Sequence, residues 1–105
     1  MGKIIWTEKA SAHLKAIHDY IAEDSPVYAI RFVKALVKAT AKLESFPMAG
    51  RLVPEFEYTS LGLREVIYQG YRIIYRLTPH LDAEIVTVAH GREDLFNNLN
   101  QDWVL

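Results

Sequence analysis

The stretch LREVIYQGYRIIYRL, residues 63–77, decides the fold more than any other part of the sequence. It consists of two runs rich in β-branched and aromatic residues, 63–68 and 71–77, with Gln69-Gly70 between them. A two-residue connection that ends in glycine is a hairpin signal, because the turns that join such strands need positive φ angles. The stretch therefore predicts two antiparallel strands joined by a tight turn.

Side chains alternate between the two faces of a strand, which divides the run 71–77 into an apolar set and a partly basic set. The apolar set suits packing under helices and comprises Tyr71, Ile73, Tyr75 and Leu77. The other set comprises Arg72, Ile74 and Arg76. We expect Arg72 and Arg76 to point to the open side of the sheet, and Arg64 to join them from the neighbouring strand.

Two amphipathic helices are predicted upstream of the hairpin. Thr7 follows a short β-type run at residues 3–6 and is a suitable N-cap for a helix that extends to about Glu23. Ser25-Pro26 supplies a second cap and first helical position, and Phe46-Pro47 ends the second helix. Apolar residues recur at helical spacing in both segments, namely Ala10, Leu14, Ile17 and Ile21, then Ala29, Phe32, Val33, Leu36, Thr40 and Leu43.

The remaining segments complete a pattern of strands and helices. Gly50 marks a turn into residues 51–55, residues 78–82 form a loop, and residues 84–89 form a third strand of the same β-rich character. Residues 97–105 are predicted to be a short helix or a loose tail. The order β-α-α-β-β-β predicts an α+β fold in which the N-terminal strand and a helical hairpin pack on one face of an antiparallel sheet.

Length and composition limit the class of protein. The chain has 105 residues, of which 50% are hydrophobic and 24% charged, so we expect residues 1–105 to form a single soluble domain. It has no cysteine, which excludes a disulfide framework and a thiolate metal site. His13 and His18 lack the four-residue spacing of a metal pair on a helix. No apolar run approaches the roughly 18 residues of a membrane span. We expect a cytoplasmic protein without membrane attachment, metal or cofactor.

The charge distribution is more informative than the net charge. A net charge of -1 argues against a protein that holds nucleic acid by bulk positive charge. Every lysine precedes Ser45, and the later cations are all arginines, at Arg51, Arg64, Arg72, Arg76 and Arg92. Arginine is preferred where a planar fork must hold a carboxylate, a phosphate or a carbonyl. The arginines in the second half of the chain therefore either form a recognition surface or are ordinary solvated residues of strands.

Several local phrases, taken together, resemble the RelE/ParE superfamily of small bacterial toxins from type II toxin–antitoxin pairs, and lean toward its ParE type. They are Trp6-Thr7, Tyr20-Ile21-Ala22, Pro26 with Ala29 and Phe32, Phe46-Pro47-Met48-Ala49-Gly50-Arg51, Arg64-Glu65-Val66, Gly70-Tyr71-Arg72-Ile73-Ile74-Tyr75 and Val88-Ala89-His90-Gly91-Arg92. The resemblance implies a toxin encoded beside an antitoxin, whose extended or helical segment wraps it until proteolysis releases it. It therefore implies a hetero-oligomer with a cognate antitoxin protein.

The superfamily contains RNA-cleaving members, and this chain matches them only in part. RelE-like members cleave mRNA on the ribosome with lysines on the strand that here begins at Leu63, and with a C-terminal tyrosine. This chain has Leu63 and Glu65 at the matching places and no tyrosine after Tyr75. Arg72 and Arg92 do match the nuclease arginines. Metal-free RNA cleavage needs a base, an acid and cations for the phosphorane charge, and two of the usual contributors are missing.

Two further branches give other roles to the same residues. A YoeB-like nuclease uses a glutamate and a C-terminal histidine with arginines, and the corresponding candidates are Glu55, His90, Arg72 and Arg92. ParE members poison DNA gyrase by binding, and the phrase His90-Gly91-Arg92 is closer to theirs. In that case the residues that bind the target or the antitoxin are Arg51, Arg64, Arg72, Arg76, His90 and Arg92.

The resemblance therefore implies a gyrase inhibitor, active in growth inhibition and plasmid stabilization, that is not an enzyme. A metal-free, ribosome-dependent mRNA endoribonuclease is the alternative, with ribosome and mRNA as its partners. A non-toxic binding module on the same scaffold is a third hypothesis, because fold does not determine function.

Overall fold

The computed structural model describes residues 2–56 and 60–91. Arg92 and the tail at residues 97–105 lie outside the described residues. The elements in chain order are β1 (Ile4–Trp6), α1 (Glu8–Ala22), α2 (Pro26–Lys38), a 3-10 helix (Ala41–Glu44), β2 (Arg51–Leu52), a second 3-10 helix (Pro54–Phe56), β3 (Arg64–Tyr68), β4 (Tyr71–Leu77) and β5 (Ala83–His90).

The strands form one five-stranded sheet in the order β1-β5-β4-β3-β2. The β2–β3, β3–β4 and β4–β5 pairs are antiparallel, which confirms the predicted α+β class. Two details differ from the prediction. The N-terminal strand β1 pairs in parallel with β5, and Arg51–Leu52, for which no strand was predicted, forms an edge strand. Both details depend on which distant strand a short segment meets, and local propensity does not specify that.

The helix starts follow their predicted capping chemistry. The Thr7 hydroxyl oxygen accepts a hydrogen bond from the Ala10 amide at 3.1 Å and also donates to the Ile85 carbonyl of β5 at 2.8 Å. Ser25 caps α2 by accepting from the Tyr28 amide, with Pro26 in the first turn. Neither helix in the described part of the chain is long and apolar enough to cross a membrane.

The second helix is shorter than predicted. We expected it to continue to Phe46-Pro47, but α2 ends at Lys38 and is followed by the 3-10 helix Ala41–Glu44. The Thr40 hydroxyl donates to the Val37 carbonyl at 2.6 Å. Threonine hydroxyls compete with backbone amides for carbonyls near helix ends. At this point the backbone changes from the α-helix to the narrower 3-10 helix.

The central hairpin forms as predicted. Gln69 and Gly70 have φ values of 48° and 82°, the positive angles that a two-residue turn requires. Its register pairs Tyr68 with Tyr71 and Arg64 with Tyr75.

The sheet buries apolar side chains on both faces. On the helix side, Ile73 and Tyr75 are fully buried, with Tyr71 and Leu77 packed at the margin, so the apolar set is confirmed. The helices contribute Ala10, Ile17, Phe32 and Leu36 to this core. A second cluster on the other side comprises Val53, Phe56, Leu63, Ile74, Val86 and Ala89. The segment that follows β2 therefore covers part of the face that was expected to be open.

Candidate functional site

A chain of alternating charges lies on the sheet face opposite the helices. Arg51 of β2 is the register partner of Glu65 on β3, and Arg72 on β4 is the partner of Ile67. Glu65 and Ile67 are two residues apart and share a face, so Arg72 is the diagonal neighbour of Glu65, within reach of a long side chain. Glu55, from the 3-10 helix Pro54–Phe56, completes the group. We call these four residues the charge network.

The contacts within the charge network are short and directional. Arg72 Nε donates to Glu65 Oε1 at 2.6 Å, and its Nη1 and Nη2 donate to the two Glu55 oxygens at 2.6 and 2.7 Å. Arg51 Nε donates to Glu65 Oε2 at 2.6 Å. The Glu65 side chain is 0% exposed and that of Arg72 9% exposed. Both Glu65 oxygens and the forked end of Arg72 are therefore occupied by partners within the chain.

The same contacts keep the groups charged. The hydrogen bonds from Arg72 hold the pKa of Glu55 below its ordinary value. In turn the Glu55 carboxylate, with a smaller contribution from Glu65, raises the pKa of Arg72. Glu55 is therefore an ionised acceptor at neutral pH and carries no proton to donate.

Burial of Arg72 corrects one prediction. Arg72 does lie on the face opposite the helices, but only 7% of the residue is exposed, because Glu55 and the segment around it cover it. The expectation that Arg72 points to an open surface is therefore wrong. Arg76 is the more exposed of the two, and its Nε donates to Glu84 at 2.6 Å, with 45% of the Arg76 side chain accessible.

Arg64 does not join the other arginines. It is the register partner of Tyr75 and so lies on the helix side of β3. Its Nη1 donates to the Gly50 carbonyl at 2.8 Å and reaches the Met48 carbonyl at 3.4 Å. The alternation of β3 places Arg64 and Glu65 on opposite faces, and it is Glu65 that meets Arg72.

The three nuclease candidates that the structure describes, Glu55, Arg72 and His90, do not all converge. His90 ends β5 as the register partner of Tyr71, with ring centroids 5.7 Å apart. The Tyr71 ring also contacts Phe32 of α2, so His90 lies on the helix side, away from Arg72. Arg92 is outside the described residues. Of the three described candidates, only Glu55 and Arg72 are brought together.

A pocket of about 430 Å³ adjoins the charge network. Its lining includes Arg51, Glu55, Ile67, Arg72 and Gly91. The two cations and two anions of the charge network cancel, but the buried Glu65 does not line the pocket, whose charged residues in the described part of the chain are Arg51, Arg72 and Glu55. A recognition role for Arg51, Arg64, Arg76, His90 and Arg92 stays a prediction.

Sequence reasoning missed Glu65 as the buried counter-ion of two arginines. The signal was present in the alternation, because Glu65 and Arg72 fall on the same face once the Gln69-Gly70 turn sets the register. Arg51 carried no such signal, because the pairing of its two-residue strand with β3 is a long-range contact.

A second surface is formed by the loop at residues 46–50. The Tyr75 hydroxyl donates to the Pro47 carbonyl at 2.7 Å and accepts from the Gly50 amide at 2.9 Å. These two hydrogen bonds fix the backbone of the loop to Tyr75, which belongs to the core. Phe46 and Met48 nevertheless remain 68% and 64% exposed. Together with Leu81 they line an apolar pocket of about 560 Å³. Exposed apolar groups on a fixed loop are typical of protein-binding surfaces.

Comparison with known proteins places these features in a family. A family model described as the ParE toxin of the type II toxin–antitoxin system parDE matches residues 4–95. The toxin RelE2 of Caulobacter vibrioides is 36% identical over 92 residues, which cover 87% of this chain and 97% of that protein.

Two solved toxin–antitoxin systems have the same fold. One is the chromosomal ParDE system of P. aeruginosa, with a TM-score of 0.70, 25% identity and coverage of 86% of this chain and 96% of the other. The other is the RelBE2 complex of Mycobacterium tuberculosis, with a TM-score of 0.58, 22% identity and coverage of 85% and 96%. The matching family model carries the ParE name and the Caulobacter relative carries the RelE name, so the choice between activities rests on the site.

Proposed function

We propose that this chain, which belongs to the ParE toxin family of type II toxin–antitoxin systems within the RelE/ParE superfamily, inhibits growth by binding DNA gyrase rather than by cleaving RNA. A cognate antitoxin neutralises it in the cytoplasm by forming a hetero-oligomer with it. The observation that carries the proposal is the engagement of Arg72 by two carboxylates. This occupancy favours a binding protein over a nuclease.

A nuclease of this kind needs cations that are available to the phosphate. Three nitrogen atoms of Arg72 already donate to Glu65 and Glu55, and a phosphate would have to displace a carboxylate to reach them. Arg51 gives its Nε to Glu65, and it differs from Arg72 in that 62% of its side chain is exposed. The four residues of the charge network together carry no net charge, so as a group they add no bulk electrostatic attraction for nucleic acid.

The acid and base that RNA cleavage requires are also poorly placed. Glu55 is ionised and held by both oxygens, so a role as base would first require release from Arg72. His90 lies on the other face of the sheet and cannot act on a phosphate that Arg72 holds. Loss of one well-placed acid or base typically lowers a rate by a factor of about 10²–10⁴, and two such losses support a non-catalytic mode of action.

The loop at residues 46–50 supports a protein as the target. Phe46 and Met48 offer two large apolar side chains that no described residue covers, and the Tyr75 hydrogen bonds keep them in place. Ordering such side chains in advance lowers the entropic cost of association. We therefore assign this loop as the surface that meets gyrase.

The deciding experiment adds the purified chain to two systems in parallel. One is a gyrase supercoiling and DNA-cleavage assay, and the other is translating ribosomes with mapped mRNA ends. We expect inhibition of gyrase, its loss in Met48→Ser, and its retention in the matched exposed variant Val27→Ser. Codon-phased mRNA cuts with gyrase unaffected would overturn the proposal in favour of an endoribonuclease.

Toxicity and antitoxin binding are tested in cells. Induced expression without the antitoxin should arrest growth, and co-expression of the small reading frame next door should restore it and yield a co-purifying complex. Normal growth under confirmed soluble expression would favour a non-toxic binding module instead.

A further inference from the structure

Arg51, on the edge strand β2, has a guanidinium group that is held at one nitrogen and open at the other two. Its Nε donates to Glu65 Oε2 at 2.6 Å, and the Glu65 side chain is fully buried. Glu65 is fixed in turn by Arg72 on β4. Among residues 2–56 and 60–91, neither Nη nitrogen of Arg51 has a hydrogen-bond acceptor. The outer end of this guanidinium is therefore available to a ligand.

The hydrogen bond to Glu65 orders the Arg51 side chain before any ligand arrives. An exposed arginine usually loses much rotamer freedom when it forms an ion pair, and that entropy loss weakens the pair. In Arg51 the Nε–H bond already restricts the plane of the guanidinium, so less freedom remains to be lost. The two Nη groups form a planar pair of donors, which is the geometry that matches the two oxygens of a carboxylate.

The pocket of about 430 Å³ beside the charge network combines these donors with an apolar wall. Ile67, which is 51% exposed, and Pro54 supply that wall. The charged residues of its lining in the described part of the chain are Arg51, Arg72 and Glu55, two cations and one anion, which gives a formal charge of +1. The forked end of Arg72 is already held by Glu55. Arg51 is therefore the cation through which this pocket can attract an anion.

A single acidic side chain suits this pocket better than a nucleic acid does. Binding to a phosphate backbone draws its strength from several clustered cations, whereas the pocket has an excess of one, and no described residue of its lining is a lysine. An aspartate or glutamate needs only one guanidinium for its carboxylate. Its methylene groups would lie against an apolar surface such as that of Ile67.

We propose that Arg51 binds an acidic side chain of gyrase in this pocket, with Ile67 packed against the methylene groups of that side chain, a proposal that rests on the proposed function. Arg51 directly follows the loop at residues 46–50. Three peptide units separate Met48 from Arg51, so their Cα atoms lie within about 11 Å of each other. One protein surface can therefore cover the apolar side chains of the loop and reach Arg51. The ion pair supplies specificity beside the apolar contact.

The test measures the affinity of the full-length chain for purified gyrase at several salt concentrations. Arg51→Gln should weaken binding by about tenfold or more at low ionic strength, with a smaller difference at high salt. The control Arg31→Gln removes the same charge from an exposed arginine of α2 and should change the affinity by less than about threefold. Glu65 keeps Arg72 as a partner in Arg51→Gln, and circular dichroism at the assay temperature checks that both variants are folded.

A second pair of variants tests the pocket without removing an ion-pair partner of Glu65. Ile67→Glu places a carboxylate in the wall of the pocket, where it repels an incoming acidic side chain or occupies Arg51 itself. Ile67→Gln has nearly the same shape without the charge. We expect Ile67→Glu to bind gyrase at least about fivefold more weakly than Ile67→Gln at low salt. This comparison decides the matter if Arg51→Gln proves to be unfolded.

The outcomes separate this proposal from the proposed function. If the wild type binds gyrase while Arg51→Gln matches Arg31→Gln and Ile67→Glu matches Ile67→Gln, the role of Arg51 is wrong and gyrase binding stands. If the wild type does not bind gyrase, both fail. The same measurements are repeated with gyrase that carries a linear DNA duplex. A defect of Arg51→Gln that appears only with DNA present would identify a backbone phosphate as the occupant and overturn the proposal.

Discussion

Arg72 and Glu65 form a buried salt bridge on the sheet face that lies away from the helices, with 2.6 Å between Arg72 Nε and Glu65 Oε1. The bridge joins β4 to β3, and through the second oxygen of Glu65 it extends to Arg51 on the edge strand β2. Arg72 therefore has a structural role that precedes any role in recognition. The loss of Arg72 leaves the buried Glu65 with Arg51 as its remaining ion-pair partner.

We expect Arg72→Ala to lower the free energy of unfolding by up to about 3–5 kcal/mol, because the buried Glu65 carboxylate keeps Arg51, which is largely exposed, as its remaining ion-pair partner. Urea denaturation at pH 7 measures this. Arg76→Ala removes the partly exposed pair with Glu84 and should change stability by no more than about 1 kcal/mol. Equal, small losses in both variants would show that Arg72 is not structurally required. A non-toxic Arg72→Ala protein would then point to recognition.

The depressed pKa of Glu55 makes stability depend on pH. Its pKa is lowered in the folded state by Arg72, so the stabilisation is fully present above the unfolded value of about 4.3. It is lost as pH falls through the folded value. We expect stability to decrease from pH 5 toward pH 3, and to decrease less in Glu55→Gln. Denaturation curves at several pH values check this, and parallel pH profiles for the two proteins would contradict it.

The Tyr75 hydroxyl holds the loop at residues 46–50. Tyr75→Phe leaves the Gly50 amide and the Pro47 carbonyl without this partner, and we expect a loss of about 1–3 kcal/mol in unfolding free energy. Tyr28→Phe, at a position that is 54% exposed, is the matched control and should be nearly neutral. Hydrogen exchange should also accelerate at the Gly50 amide. Unchanged protection there would show that the loop is held by other contacts.

Substitution of Gly50 also tests the contact between the loop at residues 46–50 and Tyr75. A Cβ at this position would lie 2.6 Å from a Tyr75 ring carbon and 2.7 Å from the Glu65 carbonyl oxygen. Gly50→Ala should therefore destabilise the fold by about 1–3 kcal/mol, as overpacking does. In thermal melts, the control Ala49→Gly should shift the midpoint less. A wild-type melting temperature for Gly50→Ala would mean that the loop adjusts without strain.

Two adjacent residues of α2 differ sharply in burial. Leu36 is fully buried and Val37 is 36% exposed. Leu36→Ala should cost about 2–5 kcal/mol because it leaves a cavity between the helix and the sheet. Val37→Ala should cost well under half as much. Chemical denaturation of both variants checks the orientation of the helix, and the reverse order would contradict it.

Features that depend on neighbours in the chain were determined by the sequence alone. The Gln69-Gly70 turn, the apolar side of β4 and the caps at Thr7 and Ser25 each arise within a few residues. Their chemistry is the same whatever surrounds them, because a turn needs positive φ and a cap needs a side-chain oxygen near an unpaired amide. The family phrases belong to the same local level. Together these features were sufficient for the α+β class.

Tertiary structure decided what the arginines do. The alternation of side chains along β4 correctly placed Arg72 and Tyr75 on opposite faces of the sheet. It does not predict which other segments of the chain cover each face. Glu55 lies 17 residues away in the chain and reaches Arg72 only because β2 pairs with β3 and carries the next turn over the sheet. Arg64 was misplaced for a different reason, since the register of the Gln69-Gly70 turn already pairs it with Tyr75 and so puts it on the helix side. Long-range pairing of short, polar segments has little local signal, and it is this pairing that made Arg72 a buried counter-ion.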